Sequence, residues 1–246
     1  MQCALCLEEA ELRRSHLIPE FLYKTLYDEK HRLHVLSILP EKGNCHEQKG
    51  LREKLLCDCC EQRFSTWERY ASLLLRGEKP VTYRTEGHLI FLSELEYLPF
   101  RLFQLSILWR AGVSSLPFFS KVRLGPHAEV LRKLLLAADP GPPTRYCCVM
   151  FGIKHKKEAF TGLIMQLGKT GLCGQIAYWF VFGGFLWAFY VSCQHLPSQL
   201  MPCTLQPPGT AAFVVREATE MDNLASFAVE LNRVGRAPGD SSDVKL

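Results

Sequence analysis

A chain of 246 residues, 48% apolar and 22% charged, is long enough for one large domain or two small ones and for a substantial core. That composition excludes global disorder, and a net charge of +4 is too mild to mark a dedicated phosphate-tracking protein. From Met1 to Arg84, 14 Lys and Arg residues nearly balance 13 Asp and Glu, so any basic surface there must come from local arrangement.

The first twenty residues are charged throughout and lack an apolar segment, so no secretory leader is expected. Eleven cysteines scattered along a long chain do not read as a secreted disulfide framework, and a reducing cytoplasm suits them. After Ser15-His16-Leu17-Ile18-Pro19, the sequence predicts a helix over Glu20–Leu26, a polar hairpin or loop over 28–50, and a helix from about Glu61 to Leu75. Phe64, Trp67, Tyr70 and Ala71 give that helix an apolar face, and Gly77 and Pro80 close it. Residues 81–93 alternate as a strand pair. Leu98–Gly112 and His127–Ala138 read as helices, the second closed by Pro140-Gly141-Pro142-Pro143.

From Tyr146 to Val215 the pattern is β, with strands expected at 146–153, 160–167, 174–182, 185–192 and 211–216. Ile176–Val191 carries no charge over 16 residues, yet it falls short of the ~20 residues of a spanning helix. Gly183-Gly184 breaks it in the middle, so a buried hairpin explains it better. Trp179, Val181, Leu186 and Ala188 would share one face, and Tyr178, Phe180, Phe182, Phe185, Trp187 and Phe189 the other. The helices 98–112 and 127–138 should cover one face. A helix over about Glu220–Val234, carrying Leu224, Phe227 and Leu231, should cover the other, with a homodimer as the alternative to a monomer. The expected fold class is α+β, divided into an N-terminal module (1–80), an α+β domain (81–235) and a mobile tail (236–246).

Chemistry concentrates in two cysteine pairs, Cys3-x-x-Cys6 and Cys57-x-x-Cys60, the spacing by which two tight turns offer four thiolates to one tetrahedral Zn2+. Buried apolar cysteines are the alternative, but Cys3 and Cys6 sit in a polar terminus beside Glu8, Glu9 and Glu11. Cys59 is expected to be a free thiol, and the neighbours Cys147 and Cys148 should point to opposite faces of a strand.

A cysteine pair, a His-apolar-apolar-Pro step and a second cysteine pair running into a helix resemble the HNH nuclease, or ββα-metal, module over residues 3–70. Beyond that module the whole chain resembles a group of bacterial proteins without an assigned activity, in stretches such as FQLSILWRA and FVFGGFLWAFYVS. The HNH resemblance implies structural zinc on Cys3, Cys6, Cys57 and Cys60. It also implies that His16 acts as general base in hydrolysing DNA or RNA, with a divalent cation, Mg2+ or Mn2+, at the scissile phosphate. Ser15 stands where the family has a carboxylate or histidine, and Arg52 about where it has an asparagine. Glu61 follows Cys60 where a ligand histidine is common, so Glu61 or Glu68 would supply a carboxylate to the cation. His46 is a further candidate, whereas His31 and His34 read as polar loop residues.

Three classes of function follow: a one-metal phosphodiesterase, a zinc module that binds nucleic acid or protein without hydrolysis, and a sensor whose active half is the sheet domain. The second half supplies no phosphate-binding glycine pattern and no nucleophile elbow. Lys154-His155-Lys156-Lys157 reads as a solvated hairpin tip, and Arg110, in a helix otherwise apolar, as a snorkelling side chain.

Overall fold

The computed structural model describes residues 1–30, 33–35, 45–47, 50–172, 175–191, 196 and 198–221. The chain is mixed α+β. Strands β1 (Leu12–His16) and β4 (Arg52–Cys57) form an antiparallel hairpin that runs into helix α1 (Asp58–Leu75). Short strands β2 (Leu33–Val35) and β3 (Cys45–Glu47) pair within the connection between them. Helices α2 (Tyr97–Val113) and α3 (His127–Ala137) follow β5 (Thr82–Glu86) and β6 (Leu89–Ser93). The remaining strands are β7 (Cys148–His155), β8 (Glu158–Ala159), β9 (Met165–Leu172), β10 (Gln175–Phe182), β11 (Phe185–Val191) and β12 (Ala211–Glu217).

An eight-stranded sheet has the order β5-β6-β12-β7-β11-β10-β9, with β8 paired to β7. Its pairings are antiparallel except β12 with β7. The hairpin at Gly183-Gly184 forms as the sequence predicts, with Phe182 opposite Phe185 and both glycines at positive φ. Its faces divide as expected. Tyr178, Phe180, Phe182, Trp187 and Phe189 join the core that contains the helices. Val181 and Leu186 pack instead with Phe160, Leu163 and Ala218, while Ala188 packs with Leu196, so connecting segments cover part of the far face. The expected helix carrying Leu224, Phe227 and Leu231 lies outside the described residues.

α2 is the hub. Every residue from Phe100 to Ala111 is buried, Arg101, Gln104, Ser106 and Arg110 included, because this largely apolar helix has neighbours on all sides. Phe100 and Phe103 meet Trp187 of the sheet edge-on, while Trp109 meets Phe64 and Phe100 meets Tyr70, both on α1. One continuous core therefore runs from Cys3 and Leu5 to Phe189, across the exposed turn near residue 80. Among the described residues no helix is long and apolar enough to cross a membrane.

Several local expectations shift. Glu20–Leu26 is not an α-helix but two 3-10 turns, Glu20–Leu22 and Lys24–Leu26, because the segment is too short to repay helix nucleation. α1 begins at Asp58, which places Cys60 inside its first turn. The strand expected at 160–167 is displaced to β9, whose Gly168-Lys169-Thr170-Gly171 run lacks apolar alternation. The turn at Lys156-Lys157 is formed, but His155 beside it is buried rather than solvated. Arg110 does not snorkel; it is 1% exposed.

Candidate metal centre and the His16 cluster

Cys3, Cys6, Cys57 and Cys60 converge. Their sulfurs all lie within 4.8 Å of one another, and Cys6 Sγ is 3.8 Å from Cys57 Sγ. All four are free cysteines, so the cluster could hold a metal ion. It is the one such set of three or more ligand side chains among the described residues. Two local devices bring the pairs together. A bulge in β4 at Leu55 leaves its carbonyl free to accept the Ala4 N–H, which draws the first cysteine turn onto the hairpin. Cys57 is the N-cap residue of α1, so the second pair sits at the positive end of that helix, where thiolates are favoured.

The sulfurs are in conflict without a cation. Burial opposes a thiolate at Cys3, but N–H groups of Cys57, Cys6 and Leu5 outweigh it and bring that thiol down to about 7. Burial, reinforced by the neighbouring sulfurs, pushes Cys60 strongly upward. A positive ion among the four would remove that conflict. α3 braces the site: Arg132 Nη1 donates to Leu5 O at 2.6 Å. Cys59 is exposed and free, as expected, and Cys147 and Cys148 pack in different core clusters on opposite faces of the sheet.

His16 is the last residue of β1 and lies directly opposite Arg52 on β4. Its Nε2 contacts the Glu20 carboxylate, whose other oxygen accepts the Tyr27 hydroxyl at 3.0 Å. Burial lowers the His16 pKa; the Glu20 charge opposes this, and Arg52 and Arg110 reinforce it. Glu20 is the first residue of the first 3-10 turn, four residues after His16.

The other expected residues are placed differently. Ser15 is buried, and its Oγ accepts the Leu56 N–H at 3.2 Å. Glu68 is paired with Arg110, whose Nη1 lies 2.7 Å from Glu68 Oε1 and also donates to His16 O at 2.7 Å. Burial pushes the Glu68 carboxyl up, with Arg110 opposing. Glu61 is near enough to add to that upward push, and one of its oxygens is buried without a hydrogen-bond partner. Among the described residues, His16, Glu61 and Glu68 do not form a converging ligand set. His31 lies outside the described residues, and only the strand path is described at His34 and His46. Sequence reasoning missed Glu20, Tyr27 and the Arg110–Glu68 pair; Glu20 alone had a local signal, four residues after His16.

Comparison with protein-family models, with curated proteins and with solved structures finds no match for this chain.

Proposed function

We propose that residues 3–75 form a zinc-held, HNH-like module that acts on nucleic acid, with His16 as its hydrolytic group. Zinc suits the four sulfurs: a tetrahedron with metal–sulfur bonds of about 2.3 Å has edges of about 3.8 Å, the Cys6–Cys57 separation. The observation that carries the hydrolytic reading is the position of His16, at the end of the strand that pairs with the one entering α1, held by Glu20 and kept neutral by burial. A neutral imidazole whose Nε2 faces a carboxylate can accept a proton from water at Nδ1, and Glu20 then stabilises the imidazolium. The attacking oxygen bonds to phosphorus as the leaving oxygen departs, and charge developing on the phosphate would fall to Arg52 opposite His16. The Mg2+ or Mn2+ of the resemblance does not fit the expected ligands: Glu68 is occupied by Arg110 and Ser15 by the backbone, which leaves Glu61 as a single carboxylate outside any converging set among the described residues. No step is therefore assigned to that cation.

A second reading, a module that binds nucleic acid or protein without cleaving it, is favoured by that same occupied carboxylate. Incubation of the metal-loaded protein with linear and supercoiled DNA and with RNA, with and without Mg2+ or Mn2+, separates the two. Hydrolysis supports the first reading if it is lost in His16→Ala with the bound metal retained. It should also persist to pH values below the ordinary histidine range, because the His16 pKa is lowered. Binding without cleavage under every condition supports the second.

A further inference from the structure

The β1–β4 hairpin has an inner and an outer face, and their charges differ. Ser15 faces inward, as its buried hydroxyl shows, and its register partner Glu53 reaches inward to Ser114 and Ser115 at the end of α2. Residues one step away on each strand must face outward. On β1 these are Arg14 and His16, and on β4 Lys54 and Arg52. Arg14 lies directly opposite Lys54, and His16 directly opposite Arg52. Arg14 and Lys54 are like charges at opposed positions of an antiparallel pair and repel, so this pair works against the hairpin. Neighbouring cations are treated otherwise: Arg13 is paired with Asp58 at 3.0 Å and Arg132 with Glu129 at 2.7 Å. Arg14, Arg52 and Lys54 have no ion pair or side-chain hydrogen bond among the described residues; Glu20, the acid on this side, is taken by His16 and Tyr27.

We propose that the outer face of the β1–β4 hairpin is a phosphate-backbone binding strip, in which Arg14, Lys54 and Arg52 lead a nucleic-acid strand to His16. The two cross-strand pairs stand two residues apart, about 7 Å along the strand, close to the separation of neighbouring phosphates on one chain. Cations without partners on a rigid hairpin are set to release counterions on binding, and none of them reads base identity, so recognition is independent of sequence. The proposal rests on the reading that the module meets nucleic acid, and does not require that it cleave it.

The test is fluorescence anisotropy of the full-length, metal-loaded protein with a labelled single-stranded oligonucleotide and its duplex, across a salt series without added divalent cation. Three phosphate contacts give a slope of log K against log salt of about −2 on the single strand and nearly −3 on the duplex. Arg14→Ala/Lys54→Ala, two exposed positions, should weaken binding about tenfold or more and lower the slope by about 1.4 on the single strand. The charge-preserving swap Arg14→Lys/Lys54→Arg should restore both, and Lys133→Ala on α3 should change neither. Wild-type protein that binds neither probe, or an Arg14→Ala/Lys54→Ala protein with unchanged affinity and slope, overturns the proposal. Binding that depends on the strip without any cleavage overturns hydrolysis at His16 and leaves the strip standing; cleavage unaffected by the double substitution does the reverse.

Discussion

Replacing Arg110 with Met tests the buried link between the hairpin, α1 and α2. Met keeps most of the side chain's length but removes every hydrogen-bond donor. The guanidinium, almost wholly buried, donates through Nη1 to His16 O and Glu68 Oε1, through Nε to Ser106 O and through Nη2 to the Ser106 hydroxyl. It also lies 5.3 Å from the centre of the Phe64 ring. Arg110→Met leaves the His16 carbonyl and the Glu68 carboxyl without their donor. Breaking a buried pair from one side costs about 3–5 kcal/mol. The lower end applies here, because the Glu68 side chain is 23% exposed and its carboxyl, already pushed up, can take a proton. A loss of about 3 kcal/mol corresponds to a fall in Tm of about 6–12 °C for a chain of this size. Arg110→Met/Glu68→Leu, which removes both charges, should recover more than half of it. Equilibrium urea unfolding of the three proteins, with metal content held equal, measures both quantities. An Arg110→Met protein within about 0.5 kcal/mol of the parent would refute the reasoning, as would a double variant no more stable than the single one.

The cysteine cluster and one glycine supply the remaining predictions. Purified protein should carry about one zinc per chain. Cys60→Ser should lose it and lose protease resistance in the N-terminal hairpin, whereas Cys59→Ser, at an exposed free thiol, should keep both; metal analysis and limited proteolysis report the difference. Gly209 has φ +151, and a Cβ there would lie 1.8 Å from the Leu95 carbonyl oxygen, a backbone atom with no rotamer to yield. Gly209→Ala should therefore cost about 2 kcal/mol or more, against about 1 kcal/mol for Gly87→Ala, where φ is +62 but the space is open. Thermal melts that rank the two glycines the other way would contradict this.

What was legible in the sequence was whatever a local rule could encode. The C-x2-C turns fix their own geometry, so convergence of four sulfurs could be expected from spacing. The largely apolar run of α2 announced a helix packed on the sheet, and Gly183-Gly184 announced the register of β10 against β11. What escaped was set by tertiary contact. Glu68 and Arg110 stand 42 residues apart, and no periodicity connects them. The insertion of β12 between β6 and β7, antiparallel to one and parallel to the other, has no signature in the strand itself. β9 escaped because its glycines and polar residues deny it the alternation by which strands are found.

The same contacts bear on what the cysteine cluster supports. The buried face of α1 (Phe64, Trp67, Tyr70 and Ala71) is in the same core as α2, so the hairpin and α1 alone would expose this apolar face. In return, α2 and α3 each give an arginine to the module: Arg110 fixes the carbonyl of His16, and Arg132 the carbonyl of Leu5 between the first two cysteines. Both contacts use backbone acceptors, which depend on strand and turn position and not on side-chain identity. α2 and α3 therefore constrain the backbone on which both the sulfurs and His16 are mounted. A metal bound at the cysteines would stabilise the hairpin from one end while Arg110 holds the other, keeping Arg14 opposite Lys54 despite the repulsion between their charges, and His16 opposite Arg52.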